Sequence, residues 1–148
     1  YNIRSQIFAK SLPMPLVVGN LKRLELLKTQ PQLKEKLWEN AKKLQQGLKE
    51  RGFDIGKTDS VVTPVYMKGD IPEATAMVMD IRENYHIFCS IVVYPVIPKG
   101  HIIYRLIPTS VHTDEDIQKT LEAFSATKKK LDAGEYKVEA IPDMADAK

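Results

Sequence analysis

Residues 94–100 read Tyr-Pro-Val-Ile-Pro-Lys-Gly, and no other segment limits the possible folds so much. Pro95 and Pro98 each hold φ near about −65° and remove a backbone donor, so this stretch cannot continue as a regular strand. Ahead of it, Ile87 to Val93 is nearly all apolar and reads as a strand buried on both faces. Behind it, His101 to Ile107 reads as a second strand. Two strands joined by so short a connection should pair as an antiparallel hairpin. A third strand is expected over Val61-Val62-Thr63-Pro64-Val65-Tyr66-Met67, which is rich in β-branched and aromatic residues. Pro64 cannot donate to a ladder, which favours an edge position or a bulge there.

Helical periods fill the remainder. From Pro15 to about Leu27 the residues Leu16, Val17, Leu21, Leu24 and Leu27 recur at loose helical spacing. Pro31 suits the first position of a second helix, in which Leu33, Leu37, Ala41, Leu44 and Leu48 share one face. Gly52 is placed to stop it in a left-handed conformation. Pro72 opens a third helix through about Asn84, with Ala74, Val78, Ile81 and Tyr85 inward. Thr113 caps a fourth, with Asp116 three residues on and Ile117, Leu121, Phe124 and Leu131 on the buried face. The order is helix, helix, strand, helix, strand, strand, helix. It predicts an α+β architecture, a small antiparallel sheet of about three strands covered on one face by helices. Residues 1–14 read as an entry segment, 15–134 as the domain, and 135–148 as a flexible tail of small and acidic residues.

The 148 residues are 43% hydrophobic and 28% charged, which suits a globular chain and excludes a disordered one. A net charge of +3, with no basic stripe beside aromatics, argues against nucleic acid as a partner. Lys128, Lys129 and Lys130 sit near the end of the last helix, where cations complement the dipole, and Asp114, Glu115 and Asp116 suit its first turn. Cys89 is alone, so an internal disulfide and a multi-cysteine metal site are excluded, and its apolar setting reads as a buried small hydrophobe. His86, His101 and His112 lack metal-ligand spacing, and His112 is better placed for a structural hydrogen bond. No run reaches the roughly 18 apolar residues of a membrane span, and a reducing cytoplasmic setting fits. The opening Tyr1-Asn2-Ile3-Arg4 shows no initiator Met and no polar leader, as expected if the numbering starts inside a larger protein.

Arg105 is the most informative single residue. Alternation along its strand sets it on the same face as Ile103 and Ile107. A guanidinium among aliphatic neighbours needs anionic or carbonyl partners, because an unpaired buried charge is very costly. It can form a structural ion pair or snorkel to solvent, the commoner outcome for strand arginines. Alternatively it can serve as a two-pronged clamp for a substrate carboxylate.

Two stretches resemble signatures of the α-oxoamine synthases, fold-type I PLP enzymes that join an amino acid to an acyl-CoA. Ile7-Phe8-Ala9-Lys10-Ser11-Leu12-Pro13-Met14 resembles the family's aromatic–Ser/Thr–x–Ser–Leu/Met–Pro–Pro element. Val93 to Gly100, the Arg105 strand and Thr109-Ser110-Val111-His112-Thr113 are together similar to the family's Tyr-Pro-Val-Val-Pro-Lys-Gly, arginine strand and Ser-Ala-Ala-His-Thr block. Ala9, Lys10, Met14, Pro108 and Val111 depart from the common choices. The resemblance covers nearly the whole chain and implies the carboxy-terminal domain of such an enzyme.

It implies further that Arg105 holds the α-carboxylate of the amino-acid substrate, and that Ser11 approaches the cofactor phosphate bound by the other subunit of a homodimer. In the family the Schiff-base lysine, the carboxylate on the pyridinium nitrogen and the residue stacked on the ring all precede the first signature. Lys10 follows the place where that lysine belongs. No catalytic residue is therefore expected in this chain, nor PLP bound to it alone. The proline-rich segment looks most like glycine C-acetyltransferase, also called 2-amino-3-ketobutyrate CoA ligase. Serine palmitoyltransferase and 8-amino-7-oxononanoate synthase are the alternatives within the family. A non-catalytic binding or dimerisation module is the alternative outside it.

Overall fold

The computed structural model describes residues 11–137. The first signature's Ile7-Phe8-Ala9-Lys10 and the tail from residue 138 onward lie outside the described residues. The chain divides into two compact units, Tyr1–Glu35 and Lys36–Lys148. In the first, α1 (Met14–Thr29) starts behind Pro13 with Pro15 in its opening turn, and none of its residues is buried. The expected apolar series is present, with Leu16, Leu21, Leu24 and Leu27 all exposed.

Helix α2 (Pro31–Glu50) begins at Pro31 as expected. Its buried positions are Asn40, Ala41, Leu44, Gly47 and Leu48, whereas Leu33 is exposed, so the inward face occupies only the later half. Gly52 ends it with φ 76°, and the Phe53 N–H returns to the Leu48 carbonyl at 3.0 Å. A side chain would be strained in that left-handed closure, which glycine adopts freely.

The second unit continues with β1 (Thr63–Lys68), α3 (Ile71–Tyr85), β2 (Ser90–Val92), β3 (His101–Leu106) and α4 (Asp114–Asp132). The strands form one antiparallel sheet in the order β1-β3-β2, with β2 and β3 paired as the expected hairpin. Pro64 lies on an edge strand, as its missing donor requires. In the connection the Tyr94–Pro95 peptide is cis, and the Val96 N–H meets the Val93 carbonyl at 3.0 Å. Capping boxes open both later helices, Asp70 with Glu73 on α3 and Thr113 with Asp116 on α4. Each satisfies two backbone donors that a helix start would leave unpaired.

Register decides which side chains meet. Tyr104 stands opposite Val65 on one side and Ile91 on the other. With Met67, Ile102 and Leu106 it forms a face packed against Leu44 and Leu48 of α2, Met77 and Ile81 of α3, and Leu121 and Phe124 of α4. The Tyr104 and Phe124 rings meet edge to face, 6.0 Å between centroids at 89°. Burial of each such side chain contributes about 1.5–3 kcal/mol, and this core holds the sheet to its helices. The expected α+β arrangement, helices over a single sheet face, is what forms.

The run Ile87 to Val93 corrects one expectation. Only Ser90–Val92 pairs, and those three residues are half-buried. Cys89 is buried while Phe88 is 84% exposed. The helices of the second unit pack on one face of the sheet, so alternate residues along this edge turn to its other face. The chain also stays packed beyond Gly134. Tyr136 is buried, and its hydroxyl donates to the Asp80 carboxylate, which accepts from Lys130 Nζ at 2.7 Å and Asn84 Nδ2 at 2.6 Å as well. Among the described residues, no helix is long and apolar enough to cross a membrane.

Candidate functional site

The face of the sheet turned away from the helices carries the candidate site. Its strand residues fall in three cross-strand rows: Pro64, Arg105 and Ser90; Tyr66, Ile103 and Val92; Lys68 and His101. The charged strand residues of these rows, Lys68 and Arg105, are cations, while an isolated bridge from Asp54 to Tyr66 adds one carboxylate to the middle row; the Arg105 row itself holds no acid.

Arg105 lies on the central strand, one residue before its end. It shares a face with Ile103 and Ile107 as expected, but that face is the open one and Arg105 is exposed. Its head reaches solvent, one of the two commoner outcomes for a strand arginine, so the cost of burial that would call for an internal ion pair does not arise. Among the described residues no Asp or Glu pairs with Arg105. Its Nε donates to Ser90 Oγ at 3.1 Å, directly across the strand pair. Ser90 went unnoticed in the sequence, where one serine in an apolar run carries no signal until register places it.

The block after β3 is held from beneath. Asn40 Nδ2 donates to the carbonyls of Thr109 and His112, at 2.9 and 2.8 Å. His112 Nδ1 accepts from the Thr109 N–H at 3.1 Å, the structural hydrogen bond expected of it. Thr113 then caps α4, and hydrogen bonds from Thr113 hold the Asp116 carboxyl below the usual carboxylate range. The Thr109–Thr113 block thus fixes the chain behind Arg105. Asn40 was legible only as a polar residue interrupting an apolar period.

Two cavities flank the sheet. One of about 240 Å³ lies at the end of β3, lined by His86, Phe88, Ile107, His112, Asp116 and Lys119 among others. The other, of about 280 Å³, has Tyr94, Lys99 and Gly100 of the proline-rich connection on one side and Gly69 to Pro72 on the other. Lys99 Nζ sits 5.1 Å from the Tyr94 ring centroid, a cation–π contact.

These residues do not by themselves fit PLP. A Schiff-base lysine needs a sheltered site beside a ring partner and a free acid. Every lysine among the described residues is exposed or half-buried. Lys99 shares its cavity with Tyr94 and Asp70, but the Asp70 carboxylate is engaged in capping α3. Ser11, the expected phosphate contact, is exposed and belongs to the first compact unit, whereas Arg105 belongs to the second. Lys10 lies outside the described residues. Cys89 is buried, and burial pushes its thiol up to about 11, consistent with a packing role. Among the described residues no three His, Cys, Asp or Glu side chains converge as a metal site would require.

No protein-family model matches the chain. A cysteate-C-fatty acyltransferase of Capnocytophaga ochracea is 60% identical across 99% of this chain and 36% of its own length. An 8-amino-7-oxononanoate synthase of Thermoanaerobacter pseudethanolicus is 34% identical, and a 2-amino-3-ketobutyrate coenzyme A ligase of Escherichia coli 30%, each over 86% of this chain and 32% of the relative. A solved structure of SPT with a PLP internal aldimine superposes with a TM-score of 0.80 at 28% identity, covering 88% of this chain and 33% of that one. The chain therefore spans about a third of the length of the relatives it matches.

Proposed function

Because this chain belongs to the α-oxoamine synthase family of PLP-dependent enzymes, we propose that it supplies the amino-acid carboxylate site of an acyltransferase. The enzyme would join an amino acid to an acyl-CoA. One observation carries this reading. Arg105 is an exposed forked cation on the central strand, with no acid in its own cross-strand row and no acid partner among the described residues. A planar guanidinium in that position can take both oxygens of a carboxylate and orient the α-carbon behind it.

For the amino acid, the 60% identity to a cysteate-C-fatty acyltransferase outweighs the 30% identity to a 2-amino-3-ketobutyrate ligase. We therefore favour cysteate and a long acyl chain over glycine and an acetyl group. A substrate with two negative groups also suits a sheet face that carries Lys68 and Arg105. Serine, glycine and the 8-amino-7-oxononanoate synthase reaction are the alternatives. PLP, held in the whole enzyme largely by residues beyond those described, would supply the electron sink for negative charge at the α-carbon. Ser11 as a phosphate contact, a homodimer and a cytoplasmic location belong to the same proposal.

The test uses the full-length polypeptide with PLP and a fatty acyl-CoA, offered cysteate, serine or glycine, and follows CoA thiol release. Cysteate should be turned over with at least tenfold the kcat/KM of the other two. Preference for glycine or serine would move the specificity to the corresponding relative. No release with any amino acid would favour a non-catalytic binding or dimerisation module.

A further inference from the structure

We infer that Ser90 is a positioning residue for Arg105, selecting which edge of the guanidinium meets the substrate carboxylate; this rests on the reading that Arg105 is the carboxylate clamp. A guanidinium can bind a carboxylate end-on through its two Nη groups, or side-on through Nε and one Nη. In this structure Nε is committed, donating to Ser90 Oγ at 3.1 Å. Side-on binding would break that bond, so the end-on edge is left for the ligand.

The placement is built by the backbone. Ser90 and Arg105 are directly opposite in the β2–β3 register, where antiparallel neighbours lie close enough for short side chains to meet. On the other side of Arg105 the register puts Pro64, whose ring offers neither donor nor acceptor. Ser90 is therefore the polar cross-strand neighbour that can restrain the arginine. A long, exposed arginine loses rotamer freedom when it grips a ligand, and a serine that has already fixed Nε lowers that cost. A hydroxyl acceptor, unlike a carboxylate, restrains the group without neutralising it or competing for the Nη edge.

The experiment compares steady-state kinetics of the full-length enzyme with its Ser90→Ala, Ser90→Val, Ser90→Thr and Arg105→Lys variants and the Ser90→Ala/Arg105→Lys double variant. Loss of one charge-assisted hydrogen bond should raise the amino-acid KM roughly five- to tenfold in the alanine and valine variants, with kcat much less affected. Threonine, which keeps the hydroxyl, should recover most of the wild-type KM, whereas valine, its shape without the hydroxyl, should not. Lysine has no Nε–H fork, so Ser90→Ala should add nothing to Arg105→Lys. If Arg105→Lys raises KM and Ser90→Ala does not, the positioning role fails while the clamp stands. It also fails if valine matches threonine, or if Ser90→Ala raises KM further in the Arg105→Lys background. If Arg105→Lys leaves KM unchanged, clamp and positioning role fall together.

Discussion

Asn40 on α2 donates its side-chain amide to the His112 carbonyl at 2.8 Å, joining residues 72 positions apart, while the same nitrogen reaches the Thr109 carbonyl at 2.9 Å. Asn40 is fully buried, and among the described residues its Oδ1 has no partner. One amide therefore ties the turn behind the Arg105 strand to the helical layer. Asn40→Ala strands both carbonyls and should cost about 2 kcal/mol in denaturant unfolding. Asn40→Asp should cost more, because it removes the donors and brings a buried charge against two carbonyl oxygens. A change below half of that in the alanine variant would show that the turn holds without its anchor.

Gly47 marks the close approach of α2 to α4. A Cβ there would stand 2.4 Å from Leu121 Cδ1 and 3.3 Å from its Cγ, so the buried Leu121 side chain would have to shift. Alanine improves helix propensity by about 1 kcal/mol, but overpacking a filled core costs about 1–3 kcal/mol. Gly47→Ala should therefore be net destabilising by about 1 kcal/mol. A higher melting temperature for that variant would mean the contact is looser than described.

Asp80 makes stability depend on pH. Burial acts to raise its pKa, but hydrogen bonds from Lys130, Tyr136 and Asn84 together outweigh that and hold the carboxyl below its usual range. A group depressed in the folded state contributes stability that is present above its unfolded pKa, near about 4, and lost as pH falls through the folded value. Glu39, Asp114 and Asp116 are also held low and contribute to the same acid limb. Asp80→Asn should accordingly be less stable at neutral pH and converge toward wild type as pH drops below about 4. Parallel pH profiles for the two proteins would remove Asp80 from the acid transition.

Much of the fold was legible because local chemistry and tertiary need agree. Pro95 and Pro98 force a break, and the flanking apolar runs have little choice but to pair; Thr113 and Asp116 announce a helix start that forms as expected. The errors come where a pattern is right but its environment is not contained in it. Alternation placed Arg105 with Ile103 and Ile107, yet cannot say which sheet face the helices will cover. The same gap explains Phe88, apolar in an apolar run and nevertheless 84% exposed. Ser90 and Asn40 depend on partners 15 and 69 to 72 positions distant, and no local periodicity encodes such pairs. Tyr136 lies in a stretch that reads as tail and packs only because Asp80 and Lys130 meet it.

The most direct test is the amino-acid KM of the full-length enzyme with Arg105→Lys, measured beside the KM for the acyl-CoA. Replacing the fork by a point charge forfeits paired, charge-assisted hydrogen bonds, so the amino-acid KM should rise roughly tenfold or more while the acyl-CoA KM stays near wild type. An amino-acid KM unchanged by the lysine would contradict the assignment of this open sheet face to the substrate's carboxylate.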